Sequence, residues 1–223
     1  MNQVIRILMV DDHPIIIEGY QNTLMATKRD DQTLIIDTAN DCDTANLLMQ
    51  KSVKEIPYDV LFFDIRLPGS KDGKIGSGED LGIIAKDILP NAKIIILTMF
   101  NESYRIHNII KNVDPDGFLI KSDLTSSELA EAFQHILVSP PYYSSTVNSF
   151  LNKLVTNDIH IDEHNRKILY LLSQGIKTRS LTEHIDLSMS AIEKRKKQMK
   201  LLFSIEDGKD ETLISEARKK GFL

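Results

Sequence analysis

The hydrophobic pattern changes character part-way along the chain. Residues 1–138 carry short apolar runs, IRILMV (5–10), VLFF (60–63), IIIL (94–97) and FLI (118–120), with a more mixed run at 33–38. Unbroken runs of this length suit strands covered on both faces, as in a parallel sheet. Between them the spacing becomes helical. Pro14 can occupy the first turn of a helix with Ile17, Tyr20 and Leu24 on one face. Residues 43–54, 80–89 and 104–113 predict three more helices, and 126–137 a fifth that buries Leu129, Ala132, Phe133, Ile136 and Leu137. Strands alternating with helix-length crossovers predict an α/β, doubly wound, five-stranded parallel sheet. Ser139-Pro140-Pro141 stops the last helix, and residues 139–160 are polar and aperiodic enough to be a linker.

From 161 to 223 the pattern is helical throughout. One helix around Ile168, Leu169 and Leu172 ends at Gly175. A second covers about 178–185, a third starts at Ser188 or Ser190 and runs to about 203, and a fourth covers about 211–220. The short link Asp186-Leu187 predicts a helix-turn-helix in this second, smaller, all-α domain. Residues 69–79 (GSKDGKIGSGE) fit neither scheme. Four glycines and two serines in eleven residues predict a loop, either a floppy excursion or a lid or partner-docking loop.

The strands differ in how they end. The first runs into Asp11-Asp12, the third into Asp64, the fourth into Thr98 and the fifth into Lys121. In a parallel sheet these ends point the same way, where open α/β sheets place their sites. Asp11, Asp12 and Asp64 repel one another unless a cation joins them, and an all-oxygen set suits Mg2+ better than zinc. Thr98 and Lys121 then supply a hydrogen-bond donor and a positive charge for an anion on Asp64. A phosphoryl group fits that description.

With VDDHP (10–14), FFDIRLPG (62–69), ILTM (96–99) and GFLIKS (117–122), the chain resembles the receiver domain of two-component response regulators. The resemblance implies the flavodoxin-like strand order 2-1-3-4-5 and phosphorylation of Asp64 by a sensor histidine kinase. It implies Mg2+ held by Asp12, Asp64 and the Arg66 carbonyl, with Asp11 acting largely through water. It also assigns Thr98 and Phe118 as switch residues and Thr98 and Lys121 as catalytic partners of Asp64. For Phe118 plain strand packing is an equal reading. Receivers usually leave this site by fewer residues than 69–79, so that stretch reads as an insertion. Met99 stands where a small residue is frequent, which predicts a slowly hydrolysed acyl phosphate. The rival, an aspartyl-phosphate phosphohydrolase, typically carries an acid two residues after the nucleophile, where this chain has Arg66. The expected protein is therefore not an enzyme acting on external substrates.

LLSQG (171–175), IDLSMSAIE (185–193) and ARKKGFL (217–223) resemble the LuxR-type output domain of NarL/FixJ-type response regulators. Ile192, Met199 and Phe203 share one face of the third helix, with Glu193, Lys194 and Lys197 opposite and Lys200 beside them. Five Lys/Arg between 194 and 200 after a tight turn suit major-groove insertion into double-stranded DNA. By resemblance Glu193, Lys194 and Lys197 read bases and Arg179 contacts phosphate; Arg195, which replaces a frequent histidine, and Lys200 complete the expected DNA-binding set. Glu193 could instead complete a capping box with Ser190. A protein-binding output is the alternative to DNA. A single module offers few base-reading side chains, so the DNA-bound form is expected to be a homodimer when phosphorylated.

Charge and composition agree with two modules. Residues 1–157 hold 14 Lys+Arg against 21 Asp+Glu, and 158–223 hold 13 against 11. No apolar run approaches membrane-spanning length, and the N-terminus lacks a signal-peptide pattern, so no membrane partner and a cytoplasmic location are expected. The single cysteine, Cys42, excludes an intrachain disulfide framework. The domains expected are 1–138 receiver, 139–160 linker and 161–223 helix-turn-helix.

Overall fold

The structure, a computed structural model, describes residues 2–156, 159 and 161–223. Residues 157, 158 and 160 of the expected linker lie outside the described residues. The chain forms two compact units, the first from residues up to 101 and 108–147, the second from 148–223 with 102–107.

The first unit contains the predicted strands β1 (Gln3–Val10), β2 (Gln32–Ala39), β3 (Val60–Asp64), β4 (Lys93–Thr98) and β5 (Gly117–Ile120). They are joined through helices α1 (Pro14–Thr27), α2 (Cys42–Lys54), α3 (Gly78–Ile88) and α4 (Ser103–Val113), and α5 (Ser126–Val138) follows. The order is β2-β1-β3-β4-β5-β6, with every pairing parallel. The sixth strand corrects the expected five. It is β6 (Tyr142–Tyr143), and it pairs with Gly117 and Phe118 at the sheet edge. Two residues behind Pro140-Pro141 are too few to show a period, which is why the pattern reads as linker. A helix, α6 (Ser145–Thr156), also begins inside the expected linker and buries Val147 and Phe150.

Alternation within the strands builds two cores. Ile5, Ile7, Met9, Val60, Phe62, Ile95, Leu97 and Leu119 pack with Ile17 and Leu24 of α1 and Leu129, Phe133 and Ile136 of α5. The intervening residues, among them Leu8, Leu61, Phe63, Ile94, Ile96 and Phe118, are also fully buried. Burial on both faces explains why these strands are continuous apolar runs. On the second face Gly82 of α3 lets Val113 of α4 approach, since a Cβ there would lie 2.7 Å from its Cγ1.

The second unit folds around Ile168, Leu172, Leu181, Ile192, Met199, Leu213 and Phe222. Its helices are α7 (Glu163–Ser173), α8 (Met189–Leu202) and α9 (Asp210–Lys219). Gly175, at φ 81°, closes α7: Ile176 N–H bonds back to Leu171 O and Gly175 N–H to Leu172 O. The helix expected at 178–185 is a 3-10 turn, Thr178–Glu183. So short a segment, anchored by Leu181 and Ile185, closes with i→i+3 bonds from Ser180 and His184.

Candidate functional site

The sheet order reverses between β1 and β3, and the register brings the strand tips into one row. Val10 pairs with Phe63, Asp64 with Leu97 and Thr98 with Ile120. Asp11 and Lys121 extend two of these tips by one residue. The outcome is a buried charged cluster. Lys121 Nζ lies 2.6 Å from Asp11 Oδ2 and 3.2 Å from Asp64 Oδ1, with all three side chains almost fully enclosed. Thr98 is completely buried, and its Oγ1 accepts from Phe100 N–H at 3.1 Å.

Two carboxylates share one ammonium here. Burial is the largest influence on Asp64 and lifts its carboxyl above the usual range; Lys121 opposes this and Asp11 adds to it. Asp12 is exposed and pairs with His13 Nδ1 at 2.6 Å. Atoms able to ligate a metal on Asp11, Asp12 and His13 lie within 4.8 Å of one another. Asp64 is outside that grouping and is linked to Asp11 through the shared Lys121 ammonium. The donor set is chiefly carboxylate oxygen with excess negative charge, which fits a hard divalent cation.

Gly78 fixes the other wall. A Cβ there would lie 1.8 Å from the Asp64 carbonyl oxygen, so α3 starts directly against the phosphoacceptor candidate's backbone. Residues 69–77 must return the chain to this spot, and they do so as a loop closed by its own hydrogen bonds. Ser70 N–H donates to Ile75 O at 2.7 Å, Ile75 N–H to Ser70 Oγ at 2.9 Å, and Lys71 N–H to Asp43. Ser70 and Ile75 are buried, and Ser77 caps α3. Arg66 is exposed, its guanidinium 4.5 Å over the Phe100 ring. Phe118 is buried within β5, and Met99 is 62% exposed beside Thr98.

On α8, Glu193, Lys194 and Lys197 are exposed, as is Arg179 on the 3-10 turn. The other cations are committed elsewhere. Arg195 NH1 lies 2.6 Å from Asp162 Oδ2 and 3.1 Å from Asn165 Oδ1, bracing α8 against the start of α7. Lys196 is buried and meets Asp210 at 2.8 Å and Thr178 Oγ1 at 2.7 Å. Lys200 pairs with the same carboxylate at 2.6 Å.

No family model matches the chain. Oxygen regulatory protein NreC of Staphylococcus carnosus is 24% identical over 230 residues, covering 98% of this chain and 99% of that protein. NreC of Staphylococcus epidermidis is 22% identical with the same coverage. Among solved structures, RcsB in two dimers bound to DNA matches with TM-score 0.63 at 21% identity, over 97% of this chain and 98% of that one. RcsB of Salmonella enterica serovar Typhimurium, bound to a promoter with the phosphomimetic BeF3−, matches with TM-score 0.62 at 21% identity, over 95% and 97%. By architecture, the chain shares the fold of RcsB over nearly its whole length.

Three residues of this chain escaped the sequence reading. His13 joins the acidic pair Asp11-Asp12, although it stood in the VDDHP motif. Tyr20, read as core, has a phenol pushed up by burial and then by the Asp11 and Asp64 charges. Lys196, counted with the basic face, belongs to the interior. The capping box is a further correction: Ser188 is the N-cap of α8 and accepts from Ala191 N–H. Ser190 therefore caps nothing, and Glu193 instead lies 3.7 Å from Lys196 Nζ. Cys42 is fully buried, its thiol pushed up to about 11 by burial and then by Asp80, Asp41 and Asp43. Among the described residues no helix is long and apolar enough to cross a membrane.

Proposed function

We propose that this is a phosphorylation-controlled transcription regulator. Asp64 accepts a phosphoryl group from the phosphohistidine of a sensor histidine kinase, and the second unit binds double-stranded DNA through α8, as a homodimer when phosphorylated. The observation that carries the reading is the buried Lys121 ammonium joining Asp11 and Asp64 at the carboxyl ends of adjacent strands.

A carboxylate is a weak nucleophile, so the site must offset charge that the incoming group brings. An Asp64 oxygen attacks phosphorus as the phosphorus–nitrogen bond to imidazole breaks. Lys121 is placed to follow the negative charge onto the phosphoryl oxygens. The Thr98 hydroxyl can donate its proton to one of them. Asp12, Asp64 and the Arg66 carbonyl, with Asp11 acting largely through water, would hold Mg2+, which supplies charge neutralisation when bound. The receiver then catalyses only its own phosphorylation and dephosphorylation, in the cytoplasm. Release of phosphate from small phosphomonoesters would instead favour a phosphohydrolase.

RcsB, similar in fold, is bound to DNA in both structures named above, once with a phosphomimetic, and this supports the output reading. One observation favours a protein-docking output instead: Arg195, Lys196 and Lys200 are held in ion pairs, which leaves fewer cations for phosphate. The test is to size the protein with and without a small phosphodonor plus Mg2+, alongside DNA binding. Dimerisation with tighter DNA binding is expected. A phosphorylated protein with no affinity for any duplex would shift the reading to protein docking.

A further inference from the structure

The three-residue 3-10 turn Lys121–Asp123 follows β5 and holds two charged groups facing different tasks. Lys121, its first residue, reaches the Asp11–Asp64 cluster. Asp123, its third, reaches the start of α6. Asp123 Oδ2 accepts from Ser144 Oγ at 2.7 Å and from Thr146 N–H at 2.9 Å, and Oδ1 accepts from Thr146 Oγ1 at 2.9 Å. Ser144 is buried. Its Oγ also accepts from Ile120 N–H at 3.1 Å, and its own N–H donates to Phe118 O at 3.0 Å.

These bonds do more than fill space. The first N–H groups of a helix have no partner within it, and α6 has Thr146 as its second residue. A carboxylate 23 positions earlier in the chain satisfies that donor and places negative charge at the helix's positive end. Such charge-assisted bonds are about twice as strong as neutral ones. The grip on α6 is thus built into the same short turn that carries the site's ammonium.

Resting on the phosphoacceptor reading above, we propose that Asp123 is a positioning residue that couples the state of Asp64 to the first turn of α6. While Asp64 is an unmodified carboxylate, Lys121 divides its contacts between Asp11 and Asp64. A phosphoryl group moves the negative charge outward, and Lys121 must follow it. With only Ser122 between them, displacement of Lys121 alters the turn that orients Asp123. The α6 first turn then loosens or shifts because its external cap moves. The coupling lies within the first unit and starts at the helix that leads out of it.

Hydrogen exchange on the full chain, with and without beryllofluoride plus Mg2+, tests this. In the wild type, loading is expected to change exchange of the amides at 146–149 by about threefold or more. Asp123→Ala should load normally, exchange these amides about tenfold faster before loading, and show no further change on loading. Asp123→Asn keeps one acceptor oxygen for Thr146 N–H and should restore part of the protection. Thr146→Val, which removes only the hydroxyl contact, should weaken the response while leaving loading intact, and it carries the test if Asp123→Ala does not fold. Wild type that loads with unchanged 146–149 exchange, or Asp123→Ala that still transmits the change, overturns the coupling alone. Wild type that does not load at all overturns the phosphoacceptor reading and this inference with it.

Discussion

Two charged clusters, one in each unit, use the same residue types in opposite proportion. In the first, one lysine stands between two buried aspartates, and burial lifts Asp64 above the usual carboxylate range despite Lys121. In the second, two lysines surround one aspartate. Burial alone would raise Asp210 too, but hydrogen bonds and charge from Lys196 and Lys200 bring it below that range. The first cluster is short of positive charge and so suited to a cation. The second is neutralised from within and serves to fix α8 against α9. Charge counted along a sequence therefore differs from charge available to a partner.

The largest expected effect lies in the first cluster. Asp64→Asn should abolish labelling by a phosphodonor in Mg2+, whereas Asp210→Asn should leave labelling as in the wild type. Label retained by the Asp64 variant would remove the distinction between the clusters.

Next comes stability in the second unit. Asp210→Ala leaves the buried Lys196 ammonium only Thr178 Oγ1 and the more distant Glu193, so a loss of about 2–3 kcal/mol is expected in denaturant melts of the full chain, below the range for pairs buried on both sides because Asp210 is partly exposed. A loss under about 0.5 kcal/mol, the size of an ordinary surface change, would mean that this cluster is not structural.

The basic face should divide along the same line. Lys197→Ala is expected to weaken the best DNA site by about 1–3 kcal/mol and relax preference at one position per half-site. Arg179→Ala should weaken all sequences alike and flatten the salt dependence by about one unit. Arg195→Ala, whose guanidinium is engaged by Asp162 and Asn165, should leave the salt slope unchanged. Titration over a salt series on specific and random duplexes separates these outcomes.

The smallest effect is on acid response. Arg195 and Asn165 N–H hold Asp162 below the usual range against burial, as the lysines do Asp210. A depressed carboxyl contributes stability above its unfolded pKa of about 3.9, and loses it as pH falls through the folded value. Asp64, lifted instead, has the opposite sign. Acidification below about pH 4 should therefore raise hydrogen exchange in α7–α9 through Asp162 and Asp210, while protonation of Asp64 relieves its site. Equal resistance of wild type and Asp210→Asn to acid would contradict the assignment for α8 and α9.

The first unit was legible because β3, β4, β5 and most of β1 are buried on both faces and lead into acids, a hydroxyl or an ammonium. Asp11, Asp64, Thr98 and Lys121 could be placed from the strand ends alone. Helix α8 was less legible. Its core face showed in Ile192, Met199 and Phe203, but the partners of Arg195, Lys196 and Lys200 come from Asp162 and Asp210, distant in sequence. The edge strand Tyr142–Tyr143 and helix α6 were hidden for another reason. One is too short to display a period, and the other is anchored at its start by Asp123, a contact no local pattern records. The loop at 69–77 showed its glycines but not the Ser70–Ile75 bonds that close it.

The most direct test of the central claim is to locate the phosphoryl group. The full chain is treated with a small phosphodonor and Mg2+, the acyl phosphate is trapped by borohydride reduction, and peptides are read by mass spectrometry. The account expects a single modified position, residue 64, absent without Mg2+ and absent in Asp64→Asn. Modification at Asp11 or Asp12 in place of Asp64, or label that survives the Asp64 substitution, would contradict it.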